Sequence, residues 1–98
     1  MEVSFADDDL DRLETDASFT CGLSSALVRA YRLRMQAIRA ATDERDLRRM
    51  KSFHFEKLAG SRQHQYSMRL NDQYRLILEF QGADRSKVVW IIGIEDYH

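Results

Sequence analysis

Two arginines and a terminal phenol–imidazole pair are spaced along the second half of this 98-residue chain in a way that suits work on a phosphate. The segment Gln65-Tyr66-Ser67-Met68-Arg69-Leu70-Asn71-Asp72-Gln73-Tyr74-Arg75 reads as a hairpin. If Leu70 pairs with Tyr74 across the loop Asn71-Asp72-Gln73, Met68 faces Leu76 and Tyr66 faces Leu78 on one apolar side. On the other side Ser67 opposes Ile77 and Arg69 opposes Arg75. Like charges directly across a ladder are destabilising unless an anion lies between them. A bound phosphate would serve, and so would Glu79 or Glu56. Farther on, an apolar run from Val88 to Ile94 continues into Asp96-Tyr97-His98. An imidazole with an ordinary pKa near 6.5 can give or take a proton at neutral pH. A phenol beside it can orient a phosphate or stack on a base.

The elements that must hold these groups divide the chain in two. Met1 to Phe5 reads as a short edge strand, and the acids of Asp7-Asp8-Asp9 suit the start of a helix that carries Leu10 and Leu13 on one face. Ser24 or Ser25 can cap a longer helix running to about Ala41, with Leu27, Tyr31, Met35 and Ile38 in amphipathic rhythm. Arg29, Arg32 and Arg39 fall off that face. Thr42 can cap a further helical turn from Asp43 to Met50. From Phe53 the period becomes two, through Phe53-His54-Phe55-Glu56-Lys57-Leu58, and Ala59-Gly60-Ser61-Arg62 breaks it. The hairpin follows, then a turn over 81–86. The last strand, from Lys87 to Ile94, is apolar on both faces, which predicts an interior position with helices covering one side.

Length and composition allow one domain over 1–98 with a single core. The one cysteine, Cys21, can form neither an internal disulfide nor a thiolate cluster, which fits a reducing cytoplasm. No signal segment opens the chain and no apolar run approaches the roughly 20 residues of a membrane helix. The net charge of −1 hides a segregation: residues 1–28 hold seven acids and one base, and residues 29–62 hold ten bases and four acids. That basic stretch is either an electrostatic footprint for phosphates or a solvated surface for an acidic partner.

The hairpin, Gly60-Ser61-Arg62 and the closing Glu95-Asp96-Tyr97-His98 together resemble the HigB-type toxins of type II toxin-antitoxin systems, in the RelE/ParE superfamily. The resemblance covers about Lys51 to His98. It implies an α+β fold, a RelE-like domain whose N-terminal helices pack on a small mixed or antiparallel sheet. It also implies a toxin that cuts messenger RNA on the ribosome with no metal or other cofactor, because the nucleophile is the substrate's own 2′-hydroxyl. A base takes that proton, the oxygen attacks the adjacent phosphate, a cation steadies the phosphoryl oxygens, and an acid protonates the leaving 5′-oxygen. On this resemblance Arg75 is the phosphate-binding arginine, and Tyr97 and His98 are the closing pair, with His98 suited to be the acid.

One segment departs from the pattern. The family commonly has His-x-x-Lys-Gly, whereas anchoring on Gly60 puts Glu56 at the histidine position and Ala59 at the lysine position. His54 and Lys57 keep the three-residue spacing, displaced by two, and on a strand a shift of two returns to the same face. Glu56 or His54 is therefore the candidate base and Lys57 the candidate charge stabiliser. Arg62 is expected to contact RNA backbone and Arg69 to assist Arg75. The implied partners are a HigA-like helix-turn-helix antitoxin, the ribosome and its message, and operator DNA reached only through the antitoxin, with no membrane. Two alternatives stay open: a ParE-like gyrase inhibitor with no enzymatic activity, and a degenerate toxin that only binds its antitoxin.

Overall fold

The three helices are those whose apolar spacing and caps called for them. A computed structural model describes residues 1–82 and 87–97. Helix α1 (Asp8–Thr15) starts where the Asp7 carboxylate accepts from the Leu10 amide, and its early acids favour the positive end of the helix dipole. Helix α2 (Ser25–Ala40) is capped by Ser24, which accepts from the Leu27 amide. Helix α3 (Glu44–Arg48) is capped by Asp43, one residue beyond the expected Thr42. The charged faces of α1 and α2 clamp together. Arg39 forms a two-pronged pair with Glu14 at 2.6 and 2.7 Å, and Arg32 donates to the carbonyls of Leu13, Asp16 and Phe19 where α1 gives way to loop.

Five strands form one mixed sheet in the order β1-β5-β4-β3-β2. Strand β1 (Glu2–Phe5) lies parallel to β5 (Val88–Asp96), and β2 (Glu56–Lys57), β3 (Gln65–Arg69), β4 (Tyr74–Gln81) and β5 pair antiparallel in turn. The hairpin register is the one its alternation dictates, with Tyr66 opposite Leu78, Met68 opposite Leu76 and Arg69 opposite Arg75. The Asn71 side chain accepts from the amides of Gln73 and Tyr74, which closes the three-residue loop. Helix residues Leu13, Tyr31, Met35 and Ile38 bury themselves against Met68, Leu76, Leu78, Val89 and Ile91, so the helices cover one face of the sheet. No helix among the described residues is long and apolar enough to cross a membrane.

Two expectations change. The alternation from Phe53 to Leu58 is not a six-residue strand: Lys51–Phe53 is a 3-10 turn, His54 sits in the left-handed region at φ 46°, and only Glu56 and Lys57 join the sheet. Phe53 and Phe55 are buried with His54 exposed between them, so the period of two is made by an irregular chain anchoring two rings. Strand β5 is interior, as expected, but it carries a bulge. Ile77 pairs with Gly93 while Leu78 pairs with Ile91, which leaves Ile92 as an extra residue. The extra residue inverts the alternation beyond it. Val89 and Ile91 face the core before the bulge, and Ile94 faces it afterwards, opposite Leu76. Without the bulge Glu95 would point into the helices. The expected turn over 81–86 lies partly outside the described residues.

Candidate functional site

The face of the sheet left uncovered by the helices holds the polar side chains of the second half around Ser67 and Ile77, which are themselves buried. Reading across the strands, one row holds Arg69, Arg75 and Glu95, the next holds Glu56, Ser67, Ile77 and Gly93, and a third holds Gln65, Glu79 and Trp90. All share a face because residues two apart on a strand do, and because the bulge at Ile92 returns Glu95 to it.

Arg75 stands at the middle of the first row with its guanidinium 5.3 Å from the centre of the Tyr97 ring. Among the described residues it makes no ion pair. The Tyr97 amide donates to the Gln73 carbonyl at 2.7 Å, and the Gln73 side chain donates to Asp96 at 3.0 Å. These two bonds pin the end of β5 to the hairpin loop and hold the phenol, 43% exposed, against the arginine. A guanidinium held over a ring by cation–π attraction leaves its N–H fork free to donate to two phosphate oxygens. His98 lies outside the described residues.

Arg69 opposes Arg75 on the ladder as the register requires, but the repulsion is answered within the turn. Its guanidinium pairs with Asp72 and donates to the Asn71 carbonyl, so neither Glu79 nor Glu56 is the neutralising carboxylate. Arg62 sits on the 3-10 turn Gly60–Arg62 that joins β2 to β3, entered through Gly60 at φ +68°. A side chain added at Gly60 would meet nothing within 4 Å, so the left-handed backbone is what asks for glycine there. From that turn Arg62 reaches over the sheet and grips Glu95 with two hydrogen bonds of 2.9 and 2.7 Å. It also donates to Gln65, which in turn donates to Glu79. The hydrogen bonds that Arg62 donates to Glu95, and the carboxylate's charge, raise the Arg62 pKa above its ordinary value. Glu95 and Gln65 are members of this face with no role assigned from the sequence, and Glu79, a candidate to neutralise the arginine pair, instead accepts from Gln65. The bulge conceals Glu95, since simple alternation along β5 sends it inward.

The base-side candidates separate. Glu56 pairs with Ser67 and lies on the uncovered face, roughly 12 Å from Arg75 between Cα atoms given the spacing of strands and residues. Lys57 takes the opposite side of β2, opposite Tyr66, which stacks on Phe55 with ring centres 5.2 Å apart. His54 precedes the strand. A shift of two therefore preserves the face neither from His54 to Glu56 nor from Lys57 to Ala59, because the strand holds only two residues.

Half of the ten bases in the middle segment are ion-paired where it folds. Arg39 pairs with Glu14, Arg45 with Asp43, Arg48 with Glu44, Arg49 with Asp46 and Arg62 with Glu95. Arg34 donates to the Arg69 carbonyl over the Phe53 ring, and burial lowers its pKa, with the nearby Arg69 charge acting the same way. Of these pairs Arg39–Glu14 joins the acidic first segment to the basic one, while Arg29, Lys51 and Lys57, like Arg75, make no ion pair among the described residues.

Comparison with known proteins places this arrangement. Residues 3–93 match the model of the HigB-like toxins, described as RelE-like toxins of the type II toxin-antitoxin system HigB. Among solved structures, a YoeB/ParE toxin from Agrobacterium tumefaciens is similar in fold, with a TM-score of 0.58 and 16% identity over the whole of both chains. No curated protein matches the chain.

Proposed function

The chain belongs to the HigB-like toxin family of type II toxin-antitoxin systems, and on that footing we propose that it is a metal-independent, ribosome-dependent messenger RNA endonuclease that halts translation. A toxin of this type has an antitoxin partner, and in this reading the partner is a HigA-like helix-turn-helix protein that reaches operator DNA on behalf of the pair. The observation that carries the reading is Arg75, ion-paired to nothing among the described residues and set over the Tyr97 ring on the uncovered face.

In the proposed reaction Arg75 holds the non-bridging oxygens of the scissile phosphate and offsets the charge that grows on them as the 2′-oxygen attacks. Tyr97 keeps the guanidinium in place and offers its ring edge to the bound nucleotide. Glu56 is the base in this reading, because it shares the face of Arg75 and a carboxylate can take the 2′-hydroxyl proton. His98 donates the proton to the leaving 5′-oxygen. Arg69, held by Asp72, lies beside Arg75 on the same row, whereas Lys57, on the opposite side of β2, takes no part in this reading.

Induced expression followed by primer extension on a reporter message tests this. Discrete cuts inside translated codons are expected, lost with Glu56→Gln and retained with His54→Gly. Intact message accompanied by supercoiling defects would overturn the reading in favour of a gyrase inhibitor. One observation favours a second reading, a toxin that keeps antitoxin binding without cleavage: Ala59 precedes Gly60 where the family has lysine, and His54 lies off the sheet. Intact message with normal supercoiling supports it.

A further inference from the structure

Arg62 and Glu95 form the one two-pronged ion pair on the uncovered face among the described residues, and neither side chain is buried: they are 41% and 39% exposed. The carboxylate meets the guanidinium fork with both oxygens, the same geometry in which two non-bridging oxygens of a phosphodiester would meet it. Their supports differ. Glu95 is on the β5 ladder directly opposite Arg75, whereas Arg62 sits on a three-residue turn outside the strands. Glu95 is thus a fixed negative charge between two guanidiniums, one gripping it and one beside it without an ion pair of its own.

We propose that Glu95 is a built-in competitor for substrate phosphate, and that the RNA backbone binds this face by exchanging with Glu95 on the guanidinium of Arg62. The inference rests on the reading of the face as an RNA site and adds a residue that sets its affinity. An exposed pair is weakly held because water and salt screen it, so a phosphate brought by the rest of the strand can displace the carboxylate. Before exchange, Glu95 lowers the positive potential of the face and disfavours stray polyanions. After exchange, Arg62 holds a second phosphate next to the one at Arg75. Glu95 acts on binding through Arg62 and is a positioning residue.

The test uses the full chain and a fluorescein-labelled single-stranded RNA whose 2′-hydroxyls are all methylated, so that it binds without being cut. Anisotropy titrations over a series of salt concentrations give affinity and its salt slope. Glu95→Gln is expected to tighten binding about three- to tenfold and to steepen the slope, because the carboxylate released in the unsubstituted chain takes up a cation that offsets one released from the RNA. Arg62→Ala is expected to cost clearly more in the Glu95→Gln background than in the unsubstituted chain. Glu95→Ala serves equally if the glutamine variant fails to fold. Unchanged or weaker binding by a folded Glu95 variant, or equal cost of Arg62→Ala in both backgrounds, overturns the proposal. Arg75→Ala separates the two levels. Weaker binding with Arg75→Ala but no gain from the Glu95 variants sinks the competitor alone, and no loss with Arg75→Ala sinks the RNA-binding reading with it.

Discussion

At the scale of single residues, what matters about the arginines of this chain is which of them are already occupied. Arg62, Arg69 and Arg75 look alike in the sequence, yet on the uncovered face the first is gripped by Glu95, the second by Asp72, and the third only rests on Tyr97. The partner of Arg69 was within reach of the sequence, three residues away in the turn. That of Arg62 was not, because 33 residues and a bulge separate it from Glu95. This difference sets the expectation for Arg75. Arg75→Ala removes the cation from the proposed transition state and should lower cleavage by about 10²–10³-fold, the cost of losing one preorganised stabilising group. Arg75→Lys keeps the charge but loses the planar fork and its stacking, so it should recover only part of that loss. Rates of cleavage on translating ribosomes, with thermal melts to verify folding, measure both. Lysine restoring full activity would mean that charge alone suffices, and alanine retaining it would remove Arg75 from the site.

Among the elements, the hairpin was fully legible and the segments on either side of it were not. Alternating apolar residues around an Asn-initiated loop leave one register in which the core face is apolar, and the structure adopts it. Upstream, Phe53 and Phe55 gave a period of two that a left-handed residue between two anchored rings produces as well as a strand does. Downstream, Ile91-Ile92 is apolar at both parities, so nothing in the residue types marks Ile92 as extra. The bulge nonetheless decides which side Glu95 and the tail take. Deleting Ile92 should regularise the ladder, turn Glu95 toward the helices and expose Ile94. An unpaired carboxylate in that core is costly enough that we expect a loss of about 3 kcal/mol or more, or failure to fold. Ile92→Ala, which trims a half-buried side chain and keeps the count, should cost only about 1 kcal/mol. Urea unfolding of the two variants decides the matter, and a deletion variant as stable as the parent would show that the bulge does not set the facing of the tail.

Over the whole molecule, the separation of acids and bases along the chain has its meaning in how the halves fold together. The acidic first segment and the basic second one meet as α1 against α2, through Glu14 with Arg39 and through the carbonyls that Arg32 gathers. Either reading of that charge pattern was open from the sequence, since partners far apart in the chain cannot be counted before the fold is known. At the centre of this contact Tyr31 is fully buried and its hydroxyl donates to the Leu10 carbonyl at 2.7 Å. Burial raises its pKa well above the ordinary value of about 10, and the charges of Glu14, Asp11 and Asp7 push it the same way. The sign of the linkage follows. The folded chain holds the phenol proton more tightly than the unfolded chain, so the contribution of Tyr31 is complete below about pH 10 and drains away as pH rises from there toward the folded value. The melting temperature should therefore fall steeply above pH 10. Tyr31→Phe, which loses one buried hydrogen bond worth about 1 kcal/mol, should be less stable than the parent at pH 7 and lose less between pH 9 and 11, so that the two curves converge. Parallel curves across that range would mean that the alkaline loss arises elsewhere and that the α1–α2 contact tolerates a phenolate at its centre.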